Sequence, residues 1–285
     1  MPYRMVCLIK RVVDALNITP DVLKEDGTVD RQALPSVFNP DDLFALEMAL
    51  GVKDRHGGEI TVISMGRPPA VEVLKDALCR GADRAVLVTD KRFGGADTLA
   101  TSQVLEKAIR KNGPFDLIFC GRQAIGGDTG QVGPQVAEKL KIPQVTCAES
   151  IEYLEGQEII IRRVMDGGRE RIRGSIPLLL TVTDTAERPR PPSAKRLMFW
   201  KKAQAALSVE HEEERNRLAG RGLLIPVWDL EALDCPAAMC GIKGSATWIK
   251  SVESVKLTAP ESRRFDTSEQ GIKGLINELI DEHII

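Results

Sequence analysis

Residues 120–140, CGRQAIGGDTGQVGPQVAEKL, hold the densest set of positions in the chain that can do chemistry. The apolar run Leu117, Ile118, Phe119 precedes most of them. Val132, Val136, Ala137 and Leu140 follow at helical spacing, so the stretch reads as a strand-to-helix turn. Gly121, Gly126, Gly127, Gly130 and Gly133 let backbone N–H groups approach an anion, and the start of the next helix adds partial positive charge. Gln123, Thr129 and Gln131 can hydrogen-bond sugar or phosphate oxygens, while Arg122 can neutralise charge or form a structural ion pair. The spacing matches neither the ordinary dinucleotide fingerprint nor a Walker A loop. A phosphate cradle of another kind is the functional reading; a glycine-rich surface turn is the plain one.

A second stretch, FGGADT at 93–98, superficially resembles the S-G-G-x-D-S pyrophosphate loop of ATP pyrophosphatases. That loop follows a first strand and this one a third, which disfavours an adenylating enzyme. Gly94 and Gly95 still free the backbone while Asp97 or Thr98 starts a helix, over an anionic ligand or as an ordinary capped start. His56, His211 and His283 stand in polar contexts with no companion nucleophile, and no cysteine–histidine or serine–histidine set is apparent. Cys235 and Cys240 are the closest cysteine pair but lack a third ligand nearby, so no metal is expected. The basic run 188–202 carries Leu197, Met198, Phe199 and Trp200. Stacking and charge there could serve RNA, but prolines 189, 191 and 192 stiffen it and the apolar tip suits protein docking.

The elements that position these loops can be read from the apolar pattern. Strands are expected over 4–9, 60–64, 85–88 and 116–120, with helices over 70–80, 98–111 and after Asn39–Pro40, where Asp41 or Asp42 can cap. Buried strands alternating with amphipathic helices imply an α/β fold with a parallel sheet covered on both faces, and in such folds ligands gather at the carboxyl ends of the strands. From about Ser150 the pattern alternates, with turns at Gly156 and Gly167–Gly168, which suggests a β-hairpin excursion before the buried strand IPLLLTVT. The expected division is a nucleotide-binding α/β domain over 1–202, including a docking loop at 188–202, and an extended C-terminal arm over 203–285. That arm ends in an amphipathic helix near 268–282 and has too few apolar residues for its own core.

The 285 residues carry 39 Lys and Arg against 41 Asp and Glu, a net charge of −2 that gives no general affinity for nucleic acid or anionic lipid. No apolar run nears the roughly 20 residues that cross a bilayer, and the N-terminal stretch reads as a first strand instead of a secretion signal. Cysteines 7, 79, 120, 147, 235 and 240 are scattered, mostly in apolar contexts, as expected of reduced thiols in a cytoplasmic protein.

Over nearly its whole length the chain resembles the β subunit of electron-transfer flavoproteins. The matching pieces are IKRVVD, NPDDLFALEMAL, ISMG, GADRAVLVTD, FGGADTLATS and CGRQAIGGDTGQVGPQVAE, in order and spacing. The resemblance implies a Rossmann-like domain of the adenine-nucleotide α-hydrolase-like group and a heterodimer with an α subunit that carries one FAD. It also implies either FAD or, alternatively, structural AMP in the β subunit. RFGGADTLATS, GDTGQVGP and GIKGSATWI look like the FAD-holding, electron-bifurcating kind. Such a subunit takes electrons from NADH or a dehydrogenase and divides them between the α-subunit FAD and an acceptor such as ferredoxin. A nucleotide-sensing module without redox function is the reading from another class.

By resemblance, the cofactor-binding residues are Leu8, Asn39, Asp41, Asp42 and Met65, then Gly121, Arg122, Gln123, Ala124, Gly127, Asp128, Thr129, Gln131 and Val132. The backbone near Gly66 is expected beside the other half of the nucleotide. Asp97, Thr98 and Thr101 match the stretch associated with the extra flavin. No residue is needed as acid, base or nucleophile. Two positions depart from the bifurcating pattern: Gly126 stands where Asp is usual and Ala246 where Pro is usual. Ala194 occupies the place of the leucine anchor of the partner-recognition loop, and Leu197, Met198, Phe199 and Trp200 are expected to dock a partner other than the common acyl-CoA dehydrogenases.

Overall fold

Short apolar runs bounded by turns become strands of a central sheet, and segments with apolar residues three and four apart become the helices that cover it. The computed structural model describes residues 2–14, 35–247 and 263–282. In chain order the elements are β1 (Tyr3–Leu8), β2 (Arg11–Val13), β3 (Ser36–Phe38), α1 (Pro40–His56), β4 (Gly58–Met65), α2 (Val71–Arg80) and β5 (Arg84–Val88). Next come α3 (Thr98–Asn112), β6 (Leu117–Gly121), α4 (Val132–Leu140), β7 (Gln144–Glu155), β8 (Glu158–Met165), β9 (Gly168–Ser175) and β10 (Leu178–Val182). The remainder is α5 (Ala194–Trp200), β11 (Gln204–Ala205), α6 (Glu212–Gly220), β12 (Leu224–Ile225), β13 (Val227–Trp228), α7 (Gly241–Gly244) and α8 (Glu269–Asp281).

Among the described residues, nine strands form one sheet in the order β13-β5-β4-β1-β6-β10-β7-β8-β9, parallel from β13 to β7. Alternate residues feed different layers. Met5, Cys7, Ile60, Val62, Leu117 and Phe119 pack with α1 and α2 on one face; Val6, Leu8, Ile63, Val86 and Ile118 pack with α3 and α4 on the other. From β1 the chain winds through α1 to β4 and through α2 to β5, then returns by α3 to β6 on β1's other side. The helices that come after the neighbours β1 and β6 thus cover opposite faces, which opens a crevice at the carboxyl ends of these two strands.

Four details differ from the sequence reading. The excursion is a three-stranded antiparallel meander, β7-β8-β9, not a separate hairpin, because β7 pairs in parallel with β10 before running on against β8. Residues 188–202 are not wholly irregular. Once past the prolines the chain forms α5, and Arg190 holds the preceding segment by donating its amide and guanidinium to the buried Glu47 of α1 at 2.9 Å. Residues beyond 202 do not leave the domain at once. Ala203, Ala205, Val209, Leu218, Leu223 and Ile225 enter one core, Leu230, Leu233, Cys235 and Cys240 the other, and β13 extends the sheet beside β5. Finally, Asn39 sits at the N-cap position of α1, and Asp41 and Asp42 lie inside its first turn with other work to do.

Candidate nucleotide-binding site

The crevice between β1 and β6 is closed underneath by the first turn of α1. Asp42 is buried there, and its carboxylate accepts the amide of Lys10 at 2.8 Å and that of Gly121 at 3.0 Å. Burial pushes its pKa up to about 7, with the amide donors pulling the other way. Asn39 works on the loop beyond: its Nδ2 donates to the Gln123 carbonyl at 2.8 Å and its Oδ1 accepts the Ile125 amide at 3.2 Å. Asp41 accepts the Gln123 amide at 3.3 Å and stands 3.8 Å from the Arg122 guanidinium. Arg122 is thus within ion-pair reach of Asp41, and burial raises the pKa of Asp41 despite it. This packing needs a glycine at 121, since a Cβ there would sit 2.5 Å from Asp42 Oδ1 and 2.7 Å from the Asp41 Cβ.

From Ala124 the loop turns outward. Gly126, Asp128 and Gly130 take positive φ of 95°, 49° and 63°, and the amides of Gly127 and Asp128 fold back to donate to the Ala124 carbonyl at 3.3 and 3.0 Å. Among the described residues, the amides of Gly126, Thr129 and Gly130 have no protein acceptor. At Gln131, the N-cap position, no side chain caps α4, so the first-turn amide of Val132 stays open as well, whereas Gly133 is buried. These exposed donors at a helix start fit an anionic group such as a diphosphate. Thr129 Oγ1 accepts the Gln131 amide at 3.4 Å, and Gln131 Oε1 accepts the Thr98 hydroxyl at 2.8 Å. That last bond brings the start of α3 against the loop.

The start of α3 is already capped. Asp97 accepts the Ala100 amide at 2.9 Å and, with its other oxygen, the amide and hydroxyl of Thr247 at 2.9 and 3.0 Å. Partial burial raises its pKa, but these donors outweigh it and hold the carboxyl below its ordinary range. Ser245 Oγ accepts the Asp97 amide at 2.8 Å, so residues 241–247 form a strap across the FGGADT loop. Leu8 ends β1 with its side chain buried among residues facing α3 and α4. Met65 is half-buried at the end of β4, one strand from the crevice, and the amide of Gly66 is bonded to Val88 O at 3.0 Å. Thr101 lies one turn into α3, its amide bonded to the Asp97 carbonyl. Of the stretch GIKGSATWI, Trp248 and Ile249 lie outside the described residues, as does His283.

The domain family described as "Electron transfer flavoprotein domain" matches residues 26–211. The "Electron transfer flavoprotein subunit beta" of Clostridium acetobutylicum is 39% identical, covering 99% of each chain. This chain belongs to the electron transfer flavoprotein β-subunit family. Other members similar to it include the "Acryloyl-CoA reductase electron transfer subunit gamma" of Anaerotignum propionicum, 35% identical over 99% of this chain and all of that one. A subunit of the "Caffeyl-CoA reductase-Etf complex" of Acetobacterium woodii is 36% identical at the same coverage.

In this electron transfer flavoprotein subunit the expected docking residues sit elsewhere. Helix α5 rests on the C-terminal end of α2, where Arg196 donates to the carbonyls of Leu78 and Ala82 and the Ser193 amide to that of Cys79. That end of α2 leads into β5, so α5 lies toward the amino edge of the sheet, away from the glycine loop. Ala194, Leu197, Met198 and Phe199 are exposed, whereas Trp200 is half-buried against the core, edge-on to Phe199 at 5.0 Å. Sequence reasoning missed the parts played by the Lys10 amide, Ser245, Thr247 and Gln135, whose Nε2 donates to Thr98 at 3.2 Å. Of these, only the serine and threonine beside Gly244 carried a signal, as part of the stretch that resembles the family. No helix among the described residues is long and apolar enough to cross a membrane.

Proposed function

We propose that this chain is the nucleotide-holding β subunit of a heterodimeric electron transfer flavoprotein, with FAD bound at the β1/β6 crevice. The observation that carries this reading is the set of open amides of Gly126, Thr129, Gly130 and Val132, on an uncapped helix start whose loop is held in place by Asn39, Asp41 and Asp42. When bound, the FAD supplies the redox chemistry, accepting electrons from NADH or a dehydrogenase and passing them to the α-subunit FAD and to an acceptor such as ferredoxin. The chain's own residues bind and orient. The loop amides and the Thr129 and Gln131 side chains hold the diphosphate and ribose, while the Met65–Gly66 backbone borders the other half of the nucleotide. Relatives named for acryloyl-CoA and caffeyl-CoA reductase complexes support electron transfer within a larger redox assembly.

The exposed cluster on α5 fits the redox partner, and the C-terminal helix fits the α subunit. Ser268 caps α8, accepting the Gly271 amide, and Ile272, Leu275, Ile276 and Ile280 remain exposed on it. Such an apolar stripe is what a partner covers.

Purification with the α subunit, followed by acid release and quantification of bound nucleotides, tests the reading. Two FAD per heterodimer supports it. One FAD with one AMP assigns the same crevice to a structural AMP in a nonbifurcating carrier. An empty β subunit overturns both.

A further inference from the structure

We propose that Cys235 and Cys240 form a dithiol–disulfide couple that latches the strap 241–247 over the FGGADT loop. Their Sγ atoms are 2.9 Å apart, closer than two non-bonded sulfurs rest, and both side chains are buried. The only residues between them, Pro236–Met239, are exposed and form a single 3₁₀ turn over 237–239. Opening that turn uncovers both sulfurs without disturbing a strand or a long helix. Burial pushes the Cys240 thiol up to about 12, so that thiol stays protonated until the turn opens. The remaining cysteines offer no competing pair of this kind. Cys7 and Cys120 lie on neighbouring strands but face opposite layers of the sheet.

The segment beyond Cys240 gives the couple its consequence. Gly241 lies so close to the 92–94 backbone that a Cβ there would stand 2.1 Å from the Arg92 carbonyl, and the Ile242 side chain lies over Gly95. Ser245 and Thr247 then grip Asp97. A bond between the two sulfurs closes a six-residue ring at the root of this strap and removes freedom from its released state. The step balances as thiol–disulfide exchange with a small-molecule disulfide such as oxidised glutathione. One cysteine thiolate attacks it, forming a mixed disulfide and releasing one glutathione thiol. The second cysteine then displaces the other, so two electrons and two protons leave the protein and two glutathione thiols form. None of this depends on what occupies the glycine loop.

Trypsin makes the test direct, because cleavage after Arg221 and Lys243 yields one peptide that holds Cys235 and Cys240 and no other cysteine. The full chain, purified with its α partner, is equilibrated with oxidised or reduced glutathione, acid-quenched, denatured, alkylated and digested. The expected result under oxidised glutathione is an unalkylated peptide lighter by two hydrogens, while Cys7, Cys79 and Cys120 are alkylated. Two alkyl groups on that peptide, or a stable glutathione adduct, overturn the couple. Native-state cleavage at the exposed Lys243 reads the latch and should be several-fold slower in the oxidised protein, with Cys240→Ser restoring the faster rate under the same buffer. Equal rates in the oxidised and reduced parent protein overturn the latch.

Discussion

The Asp42 carboxylate and the Gly121 amide meet at 3.0 Å, and the other Asp42 oxygen takes the Lys10 amide at 2.8 Å. One residue of α1 thereby ties together the exits of β1 and β6, the two strands between which the crevice opens. Its two oxygens satisfy two strand-end amides, of which that of Gly121 would otherwise be buried without a partner.

That tie makes a pH prediction. The Asp42 carboxyl ionises at 3.8 ordinarily and about 7 in the folded chain. Between those values the folded chain holds a proton that the unfolded chain has lost. The stabilisation linked to protonated Asp42 is complete below the lower value and is lost as pH rises toward the upper one. Urea titrations of nucleotide-free protein should show parent stability declining relative to Asp42→Asn over this window. Parallel pH profiles would refute the assignment.

Two glycines, one ending β6 and one in the loop that follows, should respond differently to alanine. At Gly121 the added methyl meets Asp41 and Asp42, so Gly121→Ala should cost about 1–3 kcal/mol in chemical denaturation. At Gly127 it meets nothing within 4 Å, so Gly127→Ala should stay within about 0.5 kcal/mol of the parent while weakening nucleotide retention by crowding the amide face. Equal stability losses at both sites would contradict the packing described.

Thr129→Ala combined with Gln131→Ala removes the hydroxyl that receives the Gln131 amide and the oxygen that receives Thr98. Nucleotide affinity should fall on the order of tenfold, equivalent to about 1.4 kcal/mol. Bound nucleotide after desalting measures it. Full retention would move the binding site off this loop.

On α5, burial separates two variants that the sequence alone treats alike. Phe199 is 43% exposed, and Phe199→Ala should slow electron delivery to the physiological acceptor with little change in Tm. Trp200 packs against the core, and Trp200→Ala should lower Tm as well. Stopped-flow transfer rates and thermal melts distinguish them; an unchanged rate in Phe199→Ala removes α5 from the docking surface.

Exposed apolar residues on α8 predict an association defect. Ile276→Lys should weaken binding to the α subunit, measured by sedimentation, while leaving the isolated fold intact because the side chain is exposed. Undiminished association would place the interface elsewhere.

Much of this protein was legible from local pattern. Apolar runs and 3.6-residue spacing located β1, β4, β5, β6 and helices α1 to α4 to within a few residues, because parallel-sheet strands are buried on both faces and leave unbroken apolar stretches. The glycine loop was visible because amide presentation needs residues that adopt positive φ. Local pattern could not show that β7 first joins β10 and then turns into a meander, since parallel and antiparallel partners are long-range choices. It also could not show that residues 203–240 fill both cores, because a few scattered apolar side chains gain their worth only against a surface built by distant segments.

The sequence by itself determined the alternation of strand and helix, the glycine-rich turn within residues 120–140 and the likeness to the flavoprotein β subunit. Only the tertiary structure decided which carboxylates serve it. Asp42 bridges two strand ends and Asp97 is held by Thr247, so neither is a free charge beside the loop. The reason is physical: a carboxylate's role depends on which amides and hydroxyls the fold brings within about 3 Å, and spacing along the chain does not encode that.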